Sequence, residues 1–148
     1  MLRCDTLIRN ARVLDGTGAA PEPADVALCD GRILAIDTTL NVETQETLDA
    51  AGMMLAPGFI DVHTHDDIAV IQTPTMLPKI SQGVTTVIVG NCGISAAPAT
   101  LRGDLPDPMN LLGDSESFHY PSFAAYIAGI GEARPAVNVG ALVGHTAL

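Results

Sequence analysis

Basic residues are scarce in this chain: seven Lys and Arg stand against seventeen Asp and Glu, for a formal net charge of -10 over 148 residues. A surface of that sign repels nucleic-acid phosphates and anionic lipid headgroups, so neither nucleic acid nor a membrane is an expected partner. Cysteine is also sparse. Cys4, Cys29 and Cys92 are too few and too scattered for a disulfide framework, which fits a reducing compartment and makes the cytoplasm the expected location. No apolar run approaches the ~20 residues of a membrane span, and Met1-Leu2-Arg3-Cys4-Asp5 meets polar residues too early for a signal peptide. Apolar side chains, by contrast, are plentiful: 47% of residues are hydrophobic, enough for a sizeable core in one domain or two small ones.

Residues 1–56 read as a small β region. Its strands are expected at Thr6 to Leu14, Val26 to Cys29, Arg32 to Ile36, Thr47 to Leu48 and Met53 to Leu55, with a Gly-, Ala- and Pro-rich loop over 15–25. Asp30-Gly31 between two apolar runs predicts a tight hairpin turn with positive φ at both central residues, and Ala50-Ala51-Gly52 predicts a second hairpin.

The texture changes over residues 57–148. A short apolar segment, Gly58 to Val62, precedes a helix expected within 75–82 and stopped at Gly83. Val84 to Val89 is nearly continuous in β-branched residues, the mark of a strand covered on both faces in a parallel sheet. Ser122 is placed to cap a helix running to about Glu132, with Phe123, Tyr126, Ile127 and Ile130 at helical spacing, and Ala136 to Val143 reads as a third buried strand. The order β-α-β-α-β makes this part α/β, compatible with a doubly wound sheet or a closed barrel. The segment from Ile94 to Pro121 is longer than ordinary connections and reads as a lid or an insertion.

Chemistry concentrates where strands end. In extended chain, positions i and i+2 share a face with Cα atoms about 6.5–7 Å apart, so His63 and His65 would present two imidazoles to one cation; the alternative is a pair satisfied within the core or by solvent. Cys92 follows the second strand, in Gly90-Asn91-Cys92-Gly93, and His145 follows the third. The carboxyl ends of parallel strands are where ligands bind in β/α proteins, so these positions meet at one rim. Cys92 is there either a thiolate ligand for a borderline cation such as zinc or an inert thiol. Asp61 shares the parity of His63 and could orient an imidazole, or it hydrogen-bonds local backbone amides. Asp66 and Asp67 follow in the first loop. Lys79 belongs to the helix surface or a local ion pair, and His119 to the surface of the long segment.

Ala56-Pro57-Gly58-Phe59-Ile60-Asp61-Val62-His63-Thr64-His65, preceded by a small β segment, resembles the barrel entry of the amidohydrolase superfamily. Within it, His65-Asp66-Asp67, Pro78 to Thr86, Gly90-Asn91-Cys92-Gly93-Ile94-Ser95 and Val143-Gly144-His145-Thr146 resemble the N-acyl-D-amino-acid deacylases, or D-aminoacylases. The resemblance implies a β-sandwich, built from both chain ends, joined to a (β/α)8 TIM-type barrel. Residues 1–56 would be part of the sandwich and 57–148 the first β/α units of a barrel left incomplete here. It also implies a zinc site with His63, His65 and Cys92 as ligands, and Asp61, Asp66, Asp67 and His145 around the pocket. The implied reaction is hydrolysis of a small-molecule N-acyl-D-amino acid to a carboxylate and a D-amino acid.

The implied general base and later ligands lie beyond Leu148. The expectation is therefore an N-terminal part that needs the remainder of its own chain as partner and is inactive alone; no oligomeric state is implied. Two other readings stand beside it, a dihydropyrimidinase-like cyclic amidase and a non-catalytic scaffold of the same fold.

Overall fold

Strand β1 (Arg3–Val13) organises the first part of the chain, because both of its edges are used. On one side it pairs antiparallel with β2 (Glu22–Cys29), which in turn pairs with β3 (Arg32–Asp37). On the other it pairs in parallel with β4 (Glu43–Asp49) and β5 (Met54–Leu55). The computed structural model describes residues 2–101 and 103–148 and divides into two compact units, Met1–Pro57 and Gly58–Leu148.

The β2–β3 turn has φ of 50° at Asp30 and 70° at Gly31, the double positive pair that matches strand twist in a two-residue hairpin. The hairpin expected at Ala50-Ala51-Gly52 is absent. Ala50 and Gly52 donate to the carbonyls of Arg9 and Asn10 at 2.8 Å, so the chain kinks there and keeps its direction along β1. The kink lies opposite a bulge in β1, where Asn10 takes φ 55°. The buried Asp25 carboxylate braces that bulge, accepting from the backbone of Asn10 and of Leu40, each at 3.1 Å. Strand β2 also begins earlier than expected, inside the 15–25 segment. Pro23 is tolerated because it faces Arg12 of β1, beyond the stretch paired with β3.

One face of this sheet buries Cys4, Leu7, Ala27 and Leu40. The opposite face carries an apolar groove of about 460 Å³ lined by residues including Ile8, Val26, Ile33, Ile36 and Leu55.

The second unit is built on three parallel strands, β6 (Phe59–Asp61), β7 (Val84–Val89) and β10 (Asn138–Ala141), with β7 central. Val87 and Val89, which share one face, are fully buried, whereas Thr86 and Ile88 on the other face are half-buried. Among the described residues the strand is thus fully covered on one face, and not on both as expected. Two one-turn helices, α1 (Ala69–Gln72) and α2 (Leu77–Ile80), link β6 to β7, and Gly83 closes the link at φ 79°. The helix expected over 75–82 is thus shorter and preceded by another. Helix α3 (Phe123–Ala133) starts at Ser122, whose hydroxyl accepts from the Ala125 amide at 3.1 Å, and ends at Arg134 in the left-handed region.

Parts of the Ile94–Pro121 segment pack into the core, while many of its described residues between 103 and 116 are exposed. Strands β8 (Ala99–Thr100) and β9 (His119–Tyr120) pair antiparallel, and Ile94, Ala97, Met109 and Phe118 are buried with Ile68 and Tyr126. No described helix is long and apolar enough to cross a membrane.

Candidate metal centre

Strand β6 stops at Asp61, so His63 and His65 lie in an irregular continuation rather than in the ladder. Shared strand parity therefore does not explain their positions. One long bond, from the Thr64 amide to the Ile88 carbonyl at 3.4 Å, continues the β6–β7 contact. Side chains supply the rest. Lys79 Nζ donates to Asp61 at 2.7 Å, to Asp66 at 2.8 Å and to Thr64 Oγ1 at 3.0 Å, and the Thr64 hydroxyl donates to Asp66 at 2.6 Å.

All three ammonium protons of Lys79 are thereby engaged, and Asp61 and Asp66 bracket the segment between them. The Lys79 hydrogen bond holds the Asp61 carboxyl below its ordinary value despite partial burial. Burial opposes the charge on Lys79, yet the bonds and charges of both aspartates push its pKa up. Asp61 also accepts from the His63 amide at 3.2 Å. Its carboxylate thus takes the local-backbone role rather than orienting an imidazole.

Cys92 is brought to the histidines by a turn that most residues would not form. It takes φ 56° between Gly90 at 81° and Gly93 at 79°, and a side chain on Gly90 would overlap the Leu142 backbone. Asn91 donates to the Ile88 carbonyl at 2.7 Å and to the Thr64 carbonyl at 3.4 Å, linking this turn to the histidine segment. The result is that His63 Nε2 stands 2.9 Å from Cys92 Sγ, and one ligand atom from each of His63, His65 and Cys92 lies within 4.8 Å of the others. The imidazoles meet edge to face, with centroids 5.8 Å apart.

His65 Nδ1 is buried and has no hydrogen-bond partner among the described residues, a costly arrangement for a polar atom unless another group satisfies it. Two imidazoles and a thiolate are the donor types that zinc takes, so these residues fit a zinc ion.

Asp67 is fully buried, with its carboxylate on the amides of Gly90 and Ala96, each at 3.3 Å. Burial pushes its carboxyl up while those two amides pull it down. Its carbonyl accepts from Tyr126 Oη at 2.7 Å, and burial also raises the phenol's pKa, keeping it a neutral donor. His145 is exposed and stands outside the trio. Its loop joins the Cys92 turn through backbone, with Thr146 donating to the Gly93 carbonyl at 2.8 Å. His119 is exposed and bonds the Glu116 carbonyl at 2.8 Å.

A second trio, Asp5, Cys29 and Asp30, is internally satisfied: the Asp30 amide donates to Asp5 at 2.8 Å and the Cys29 thiol approaches Asp30 at 3.8 Å. Burial and the two carboxylates push that thiol up, which keeps its proton on.

Lys79 and Asn91 are the residues of the site that sequence reasoning underrated. The signals were an Asp on each side of the histidine triplet for the one, and a polar residue between a strand-ending glycine and the cysteine for the other.

Residues 46–148 match the amidohydrolase family. The chain is 45% identical to the N-acyl-D-aspartate deacylase of Alcaligenes xylosoxydans xylosoxydans over 99% of its own length and 29% of that protein. Among solved structures it is similar to N-acyl-D-glutamate deacylase from Bordetella bronchiseptica complexed with zinc and a phosphonate inhibitor that mimics the tetrahedral intermediate. The TM-score is 0.90 at 45% identity, over 98% of this chain and 30% of that one. It is also similar to a D-aminoacylase whose binuclear metal centre shows one-metal activation and second-metal attenuation, with a TM-score of 0.92 at 42% identity over 97% and 30% of the two chains. The chain thus spans about 30% of the length of these relatives. It belongs to the amidohydrolase family, and its likeness to the N-acyl-D-amino-acid deacylases runs over nearly its whole length.

Proposed function

We propose that this chain supplies part of the metal site of a zinc-dependent hydrolase that cleaves the amide bond of N-acyl-D-amino acids, releasing a carboxylate and a D-amino acid. The observation that carries the reading is the convergence of His63, His65 and Cys92, with the thiol 2.9 Å from an imidazole nitrogen. The zinc-bound N-acyl-D-glutamate deacylase structure, to which the chain is similar, supports it.

These three side chains would hold the ion. Zinc in such a site would supply Lewis acidity for an amide carbonyl and would lower the pKa of water towards ~7. The chain's own residues do the holding. Lys79 keeps Asp61 and Asp66 in place on either side of the histidines, and the Gly90–Gly93 turn aims the thiol at them. The general base and the groups that read the acyl and D-amino-acid parts are assigned to other residues of the polypeptide. By this reading the 148 residues alone do not turn over substrate.

The three parallel strands of the second unit are read as the first of a (β/α)8 barrel and the sheet of the first as part of a β-sandwich. The apolar groove of that sheet then receives other segments of the same polypeptide, which would bury Ile33 and Ile36.

The test is to incubate the full-length gene product, loaded with zinc, with N-acetyl-D-aspartate, N-acetyl-D-glutamate and N-acetyl-D-leucine, and to measure free amino acid by chiral chromatography. Release of a D-amino acid is expected. Hydrolysis of cyclic amides alone would favour a dihydropyrimidinase-like enzyme, and a stably folded product that takes up no zinc would favour the scaffold.

A further inference from the structure

We infer that Asp67 is a positioning residue that fixes the Cys92 turn to the histidine segment. The inference rests on reading His63, His65 and Cys92 as a metal site. The Asp67 carboxylate accepts from the Gly90 amide through one oxygen and from the Ala96 amide through the other, each at 3.3 Å. Those two amides bracket residues 91–95, the turn that carries Cys92. Asp67 itself lies two residues after His65, so one side chain couples the backbone of the imidazoles to both ends of the thiol's loop.

Three features make this coupling stiff. The carboxylate is fully buried, and a buried carboxylate is tolerated only where hydrogen bonds hold it. The backbone of Asp67 is anchored to α3 by the Tyr126 hydroxyl at 2.7 Å. Cys92 occupies the left-handed region, which a non-glycine residue keeps only where its surroundings impose it. The other bonds of the turn lead elsewhere: Gly93 accepts from Thr146, and Ser95 accepts from Gly144. Apart from the His63–Cys92 contact between the candidate ligands themselves, a further link to the histidine segment is the Asn91 bond noted above, at 3.4 Å. An alanine at position 67 would leave two buried amides without an acceptor, and the turn would relax to satisfy them, carrying the thiol away while the imidazoles stay. An asparagine would offer one acceptor oxygen for the two amides.

The full-length gene product titrated with cobalt(II) provides the test. The unmodified protein is expected to show a thiolate-to-cobalt charge-transfer band and, with one equivalent of metal, protection of Cys92 from iodoacetamide as read by peptide mass spectrometry. Asp67→Ala should lose the band, leave Cys92 equally reactive with and without metal, and bind cobalt roughly 10–100-fold more weakly. Asp67→Asn should fall between the two. Met109→Ala, a cavity in the same core, should lower the thermal midpoint and keep both band and protection. Full band and protection in Asp67→Ala overturn the inference, as does an equal loss in Met109→Ala. Should Asp67→Ala fail to fold, Asp67→Asn decides, and an unchanged cobalt affinity there overturns it. Absence of the band in the unmodified protein would instead overturn the metal-site reading.

Discussion

The two segments that meet at the candidate metal centre are held by different forces. Residues 61–66 are held by charge: Lys79, 20% exposed, spans two carboxylates, and the backbone between them has no regular pairing. The Cys92 turn is held by shape, through glycines at positive φ, close backbone approach to Leu142 and a buried carboxylate on its two ends. An ionic clamp adapts to small movements and weakens with salt, whereas a turn built on steric exclusion has one conformation or none. Such a pairing gives a chelating site one adaptable arm and one rigid one.

Breaking the rigid arm should have the largest effect. Gly90→Ala puts a methyl group into the Leu142 backbone and forces alanine to positive φ. We expect a loss of about 3 kcal/mol or more in denaturant unfolding, together with loss of the cobalt–thiolate band. Breaking the adaptable arm should cost less. Lys79→Met leaves Asp61 and Asp66 facing each other without a cation, and a loss of roughly 1–3 kcal/mol is expected, with Lys79→Arg recovering part of it.

Salt sharpens the comparison. Between 0.1 and 1 M sodium chloride the cost of Lys79→Met should shrink, while that of Gly90→Ala should not; equal salt dependence would remove the distinction. Removing the weaker tie between the arms, Asn91, should have the smallest effect. Asn91→Ala is expected to cost about 1 kcal/mol and to loosen metal binding without abolishing the band, measured by unfolding and cobalt titration.

Much of this was legible in the chain because it depends on neighbours in sequence. Asp30-Gly31 formed its hairpin turn, Ser122 its cap, and the β-branched run 84–89 its central strand, each from local sterics or a hydrogen bond spanning a few residues. The resemblance carried by His63-Thr64-His65 and Cys92 led to the amidohydrolase family.

Other features were hidden because their cause lies far along the chain. The kink at Ala50–Gly52 reads as a hairpin until β1 claims its amides across some forty residues of sequence. Residues 94–121 look like a loose insertion until Phe118 and Met109 are seen packed with Tyr126. Helix α1 spans only one turn, too short to show a period.

For the candidate site, the sequence alone set the ligand types and the glycines that make the Cys92 turn possible, because donor chemistry and φ preference belong to single residues. Which side chains hold those ligands was settled by tertiary structure. Lys79 lies between Asp61 and Asp66, and Asp67 between Gly90 and Ala96, only because parallel strands bring distant segments to one end of a sheet. Pairings of that kind are set by the path of the whole backbone, to which local spacing is blind.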